Sequence, residues 1–178
     1  MYKEYKHNPP HLFVPDAKYF ITVSTLGRHR YLKSDSTKDA TLAYLIQSIQ
    51  HFNWNLADWV ILDNHLHFMA TAPENVKTLS DLMHNLTRFT ANWLSSHNIP
   101  RIESKYFHNY WDTCITYEKS YFCRLNYIWN NPVKHGYVES PEKWIYGSYI
   151  YRFRAEDIES QEIMLNYPID RVHIDDDF

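Results

Sequence analysis

The chain has 178 residues, 44% hydrophobic and 17% aromatic, with only 3 glycines. That length and apolar content fit one domain with a real core, and neither GxGxxG nor GxxxxGKS/T is present, which excludes folds whose glycines let backbone approach phosphate. The net charge of −3 hides an asymmetry: residues 155–178 carry 8 acidic and 1 basic residue, leaving 17 basic and 13 acidic in residues 1–154.

The expected organisation is therefore a mildly basic domain over 1–154 followed by an acidic tail over 155–178. That tail is either a solvated extension or a segment folded over a basic surface. Residues 1–8 show no apolar signal region. No apolar run approaches the ~18 residues of a membrane span. Cys114 and Cys123 lack metal-ligand spacing, so a cytoplasmic protein without membrane contact is expected.

In chain order, residues 18–26 (KYFITVSTL) are aromatic and β-branched and predict a strand. Asp35, Ser36 and Thr37 offer N-caps for a helix over 37–52, with Leu42, Leu45, Ile46 and Ile49 at helical spacing. Residues 54–63 and 65–71 predict two strands joined by the turn signal Asp63-Asn64. Residues 78–97 carry the clearest apolar helical stripe, with Thr78 and Asp81 resembling a capping box. A fourth strand is expected over 105–116, and a third helix over 118–131, stopping before Pro132. The order β-α-β-β-α-β, then a helix, predicts an α+β fold. It is a ferredoxin-like antiparallel sheet with two helices on one face, leaving the other face for the third helix.

Two segments carry chemistry. In a strand, residues i and i+2 share a face, so His65 and His67 project side by side with Leu66 buried opposite. Two imidazoles so placed can share a metal ion or be two half-exposed histidines. On the third helix, Ser120, Arg124, Tyr127 and Asn131 are spaced 4, 3 and 4 and lie on one face, opposite Tyr121, Phe122, Leu125, Ile128 and Trp129. Tyr127 then faces solvent or a site. Asn131 is either part of that site or a turn residue before Pro132. Tyr117, Tyr121 and Tyr137 are rivals for any nucleophilic role.

Together these segments resemble the HUH single-tyrosine transposases, specifically the REP-associated tyrosine transposases. Leu62-Asp63-Asn64-His65-Leu66-His67-Phe68-Met69 is similar to the family's "MPNHVHLL". Residues 127–138, Tyr-Ile-Trp-Asn-Asn-Pro-Val-Lys-His-Gly-Tyr-Val, are similar to "YIHLNPVRAGLV". Pro141-Glu142-Lys143-Trp144 through Tyr149 resembles a "P.dW.wSSY" element, and Tyr19–Val23 resembles the first strand. The resemblance covers residues 7–152. Asp63 stands where the family usually has proline, and Trp129-Asn130 where it has His-Leu.

The resemblance implies His65, His67 and Asn131 as ligands of a divalent metal, Mg²⁺ or Mn²⁺, and Tyr127 as the nucleophile that forms a 5′-phosphotyrosine link. It implies single-stranded or hairpin DNA as partner, and leaves open a homodimer in which Tyr127 acts in trans. Basic residues would track the DNA backbone: Arg28, His29, Arg30 and Lys33 after the first strand, and Arg88, Arg124, Lys134 and His135. Two alternatives are a metal-dependent hydrolase without a covalent intermediate and a catalytically inactive nucleic-acid-binding module.

Overall fold

Lys18–Ser24, rich in aromatic and β-branched residues suited to a pleated surface, forms β1, buried from Tyr19 onward. The computed structural model describes residues 13–154, 156 and 158–167. The N-terminal segment without a signal region and the end of the acidic tail (168–178) lie outside the described residues. The remaining elements are α1 (Asp35–His51), β2 (Asn55–Ile61), β3 (His65–Thr71), α2 (Leu79–Ser96), β4 (Trp111–Ile115), α3 (Glu118–Lys134), α4 (Tyr149–Phe153) and α5 (Ile158–Leu165). The strands form one sheet in the order β2-β3-β1-β4, every neighbouring pair antiparallel. This is the expected ferredoxin-like plan.

Alternation along the strands divides the core into two clusters. Tyr19, Ile21, Val23, Leu66 and Phe68 pack against Leu45 and Ile49 of α1 and Leu79, Leu82 and Leu86 of α2. On the other face Phe20, Val60 and Met69 pack against Leu125, Ile128 and Trp129 of α3. No helix among the described residues is long and apolar enough to cross a membrane.

Several local expectations change. The N-cap of α1 is Ser34, whose hydroxyl accepts from the Thr37 amide, one residue before the expected candidates. Thr78 does not cap α2. It is itself helical, and its hydroxyl donates to the Asn75 carbonyl (2.8 Å) and accepts from Trp54 Nε1 (3.1 Å). β4 begins at Trp111 rather than 105, because Tyr106 and Phe107 bury in the α1–α2 side of the core.

The correction that matters most is in α3, which passes through Pro132 and ends at Lys134. Proline lacks the amide that would bond to the preceding turn, but in the last turn this removes a single hydrogen bond. The terminal carbonyls are still served: Asn131 O accepts from His135 N (3.1 Å), Pro132 O from Tyr137 N (2.9 Å) and Val133 O from Gly136 N (3.0 Å). Gly136, at φ +70°, supplies the left-handed turn that lets the chain leave the helix.

Two buried carboxylates tie the connections together. Asp63 pairs with buried Lys38 (2.8 Å), joining the β2–β3 turn to α1. Asp58, fully buried on β2, accepts from Trp129 Nε1 (3.1 Å) and Ser148 Oγ (3.0 Å) and lies 3.7 Å from Arg152. It thereby fastens α3 and α4 to the sheet. Within the acidic segment, α5 packs on α3: Asn126 Nδ2 donates to the carbonyls of Met164 and Tyr167, and Tyr167 stacks on Phe122.

Burial raises the Asp58 pKa from 3.8 to about 6, against the hydrogen bonds from Trp129 and Ser148 and the charge of Arg152. A folded-state pKa above the unfolded one gives a contribution present below pH 3.8 and lost as pH rises through about 6. Relative to the parent, Asp58→Asn is therefore expected to gain about 2 kcal/mol between pH 4 and pH 7.5. Urea unfolding across that range measures it, and a pH-independent difference would contradict the account.

Candidate active site

The polar stripe of α3 lies against the sheet. Leu125, Ile128 and Trp129 take the apolar β2 side, which leaves Tyr127 and Asn131 facing β1 and β3, where the sheet itself is polar. Ser120, Tyr127 and Asn131 are buried, and Arg124 is half-buried. The strand register aligns Thr22 with His67 and Ser24 with His65. Both histidines are fully buried.

The site closes through a few short contacts. His65 Nε2 lies 3.0 Å from Asn131 Oδ1, and its Nδ1 lies 2.8 Å from Asn64 Oδ1. A neutral imidazole carries one N–H. With Nδ1–H donated to Asn64, Nε2 presents a lone pair beside a second acceptor, the Asn131 oxygen. Two acceptors converging this way suit a shared cation. His67 Nδ1 sits 2.8 Å from Thr22 Oγ1, the kind of outer contact that orients a metal-binding ring. Burial, aided by the positive potential of His135 and Lys134, lowers the His67 pKa to about 3. The ring is thus neutral at ordinary pH, the form that can bind a cation.

Among the described residues no three His, Cys, Asp or Glu side chains form a metal-binding group. The side chains that could hold a cation here are the two imidazoles and the Asn131 amide oxygen. The donors fit a divalent cation that tolerates nitrogen.

Tyr127 completes the cluster within the same chain. Its ring stands edge-on to His67 (centroids 5.3 Å) and to Phe20 (6.1 Å), while Phe20 stacks on His67 (5.4 Å). Lys134 Nζ donates to Tyr127 Oη (3.3 Å) and lies 4.9 Å from the ring centroid. The His135 ring lies 5.0 Å from that of His65.

The other expected DNA-contacting residues separate into groups. The 28–33 loop abuts the turn that precedes His65: Arg28 O accepts from Asn64 Nδ2 (3.4 Å), and Leu32 N donates to Asp63 O (2.8 Å). Arg28, Arg30 and Lys33 are exposed there, Arg30 lying 3.8 Å from Asp63 and 5.8 Å from the Tyr137 ring centroid. His29 is half-buried, 3.6 Å from Glu103. Arg124 donates to the Ser120 hydroxyl and lies 5.9 Å from the Phe20 ring centroid, at the site. Arg88 lies over its neighbour Phe89 on α2, the helix packed on the opposite face of the sheet from Tyr127.

Sequence reasoning missed Thr22 and Asn64 as partners of the histidines and Lys134 as the partner of Tyr127. Asn64 immediately precedes His65, so its proximity was available. Lys134 follows Tyr127 by seven residues, two helical turns, a signal lost by ending the helix before Pro132. Thr22 required the β1–β3 register.

Residues 13–131 match the family model described as "Transposase IS200 like". The match spans more than half of the chain, which belongs to this family and is a transposase. Its similarity runs to the REP-associated tyrosine transposases. A Haemophilus influenzae protein assigned to that group is 28% identical over 152 residues, 81% of this chain and 86% of its own length. The REP-associated tyrosine transposase of Escherichia coli K12 is 25% identical over 140 residues, covering 77% and 79%. Among solved structures, a REP-associated tyrosine transposase bound to a REP hairpin shares the fold with a TM-score of 0.71 at 21% identity. That match covers 96% of this chain and 94% of the other. A Deinococcus radiodurans protein assigned as a transposase gives 0.50 at 18% identity, covering 69% and 96%.

Thr22→Val removes the hydroxyl that meets buried His67 Nδ1. It is expected to lower stability by about 1–3 kcal/mol in urea unfolding with chelator present. A loss under about 0.5 kcal/mol, the range of ordinary surface changes, would show that this contact does not hold the ring.

Proposed function

We propose that the protein cleaves and rejoins single-stranded DNA beside hairpins through a 5′-phosphotyrosine link on Tyr127, acting in cis. The observation that carries this reading is the meeting, in one chain, of the Tyr127 ring with His67 beside the His65–Asn131 contact. The solved neighbour bound to a REP hairpin supports a hairpin substrate.

In the proposed reaction Tyr127 Oη attacks the scissile phosphorus. The P–O3′ bond breaks, the phenolic proton passes to solvent, and the departing oxygen takes up a proton as a free 3′-OH. The phosphodiester bond is kept as a phosphotyrosine ester, so a 3′-OH of another strand can reverse the step and be joined. The Lys134 ammonium stabilises negative charge on Oη when its proton leaves. His65, His67 and Asn131 would hold a divalent cation, Mg²⁺ or Mn²⁺, supplying charge neutralisation and orientation of the phosphate for in-line displacement. Thr22 and Asn64 keep the two imidazoles aimed, and Phe20 packs against His67 to exclude water from its ring.

Arg28, Arg30, Lys33 and Arg124 are positioned to neutralise DNA phosphates around this centre. We assign residues 1–154 to the catalytic domain, in the cytoplasm, and residues 155–178 to an appended acidic segment whose α5 braces α3.

Incubation with labelled DNA hairpins bearing single-stranded arms and Mn²⁺ or Mg²⁺ is expected to give an SDS-stable adduct that Tyr127→Phe abolishes. Cleavage that persists in that variant would sink the covalent reading. Chelator, His65→Ala and His67→Ala are each expected to reduce adduct at least about 100-fold, the scale of losing a main electrostatic stabiliser. Full activity in chelator would contradict the assigned cation site.

A further inference from the structure

On the face of the sheet that carries the histidines, α3 packs on β2, β3 and the Ile115 end of β4, while Trp111 and Thr113 of β4 stay exposed. His67 is in register with Thr22, and Thr22 with Trp111. Directly paired residues project to the same face, so His67, Thr22 and Trp111 form one row across three strands. With strands about 4.8 Å apart, Trp111 Cα stands about 10 Å from His67 Cα. Thr113, the next residue on this face of β4, is also exposed, whereas Ile115 packs beneath α3. Trp111 is 46% exposed. An indole left this open on an edge strand forgoes its burial energy and carries an association risk that proteins usually avoid.

We propose that Trp111 is a stacking platform for an unpaired base next to the scissile phosphate. This proposal rests on the assignment of the phosphate to the His65–His67–Tyr127 centre. A flat indole matches the π-face of any base and is sequence-tolerant. Duplex bases are already stacked on one another and do not offer that face. Arg124, half-buried on the same polar stripe as Tyr127 with its guanidinium near Phe20, supplies the positive charge for the backbone that joins the stacked base to the reacting phosphate. Trp111 thus acts as a positioning residue, selecting single-stranded flanks and fixing where the phosphate lies relative to Tyr127.

The test uses the full chain carrying Tyr127→Phe, so that binding is read without covalent chemistry. The probes are a DNA hairpin with short randomised single-stranded arms, the same hairpin without arms, and oligothymidylate. Trp111→Ala is expected to weaken binding of the armed hairpin and of oligothymidylate at least about fivefold, the lower end of stacking losses. Trp111→Phe should keep most of the affinity, and the bare hairpin should be unaffected. Independently, in 5-fluorotryptophan-labelled protein, the ¹⁹F resonance that Trp111→Phe removes should shift with the armed hairpin and stay put with the bare one.

Equal affinity of Trp111→Ala and its parent for armed DNA, an equal loss on the bare hairpin, or an unmoved resonance would overturn the proposal. Adduct formation by the Tyr127-bearing chain on the same armed hairpin reports the covalent reading separately. Adduct without a Trp111 effect overturns stacking alone, and a Trp111 effect without adduct overturns the chemistry alone. Failure to bind either single-stranded probe overturns both.

Discussion

The site depends on one packing arrangement: α3 presses its polar stripe, not its apolar one, onto the centre of the sheet. His65 Nε2 and Asn131 Oδ1, 3.0 Å apart, mark where the helix and the sheet meet. Buried polar groups without partners are expensive; Tyr127 takes a hydrogen bond from Lys134 of its own helix, and Thr22 meets His67 within the sheet. The polar residues of the helix and of the sheet are thereby concentrated where chemistry is possible.

Holding α3 in that position is the work of its flanks. Leu125, Ile128 and Trp129 anchor it to β2, the Trp129 indole donates to buried Asp58, and Asp58 also takes Ser148 and Arg152. On another side of the helix, Met164 of α5 and Tyr167 just beyond it hold Asn126 and Phe122. The Lys38–Asp63 pair fixes the turn from which His65 departs. An aspartate buried in that turn requires a counter-charge, which the buried lysine supplies.

Much of this was legible in the sequence. Period-2 alternation placed His65 and His67 together, and helical spacing grouped Tyr127 with Asn131. The order of elements indicated the sheet and its uncovered face. What could not be read was register and mutual orientation. Thr22 becomes the partner of His67, and Trp111 its neighbour in the same row, only once β1 aligns with β3 and β4. The helical pattern marked the Tyr127 stripe as polar, facing solvent or a site, and only tertiary packing shows it buried against the sheet. Ending α3 before Pro132 by a local steric rule hid Lys134 from Tyr127, because that rule takes no account of the packing that carries the helix on to Lys134.

The proposed chemistry requires Tyr127 Oη as the atom that takes the DNA. The most direct measurement is proteolysis of the protein–DNA adduct, followed by mass spectrometry of the peptide that retains a nucleotide. The account predicts the remnant on Tyr127, in the peptide that also holds Asn131 and Lys134. A remnant on Tyr117, Tyr121 or Tyr137 would contradict it.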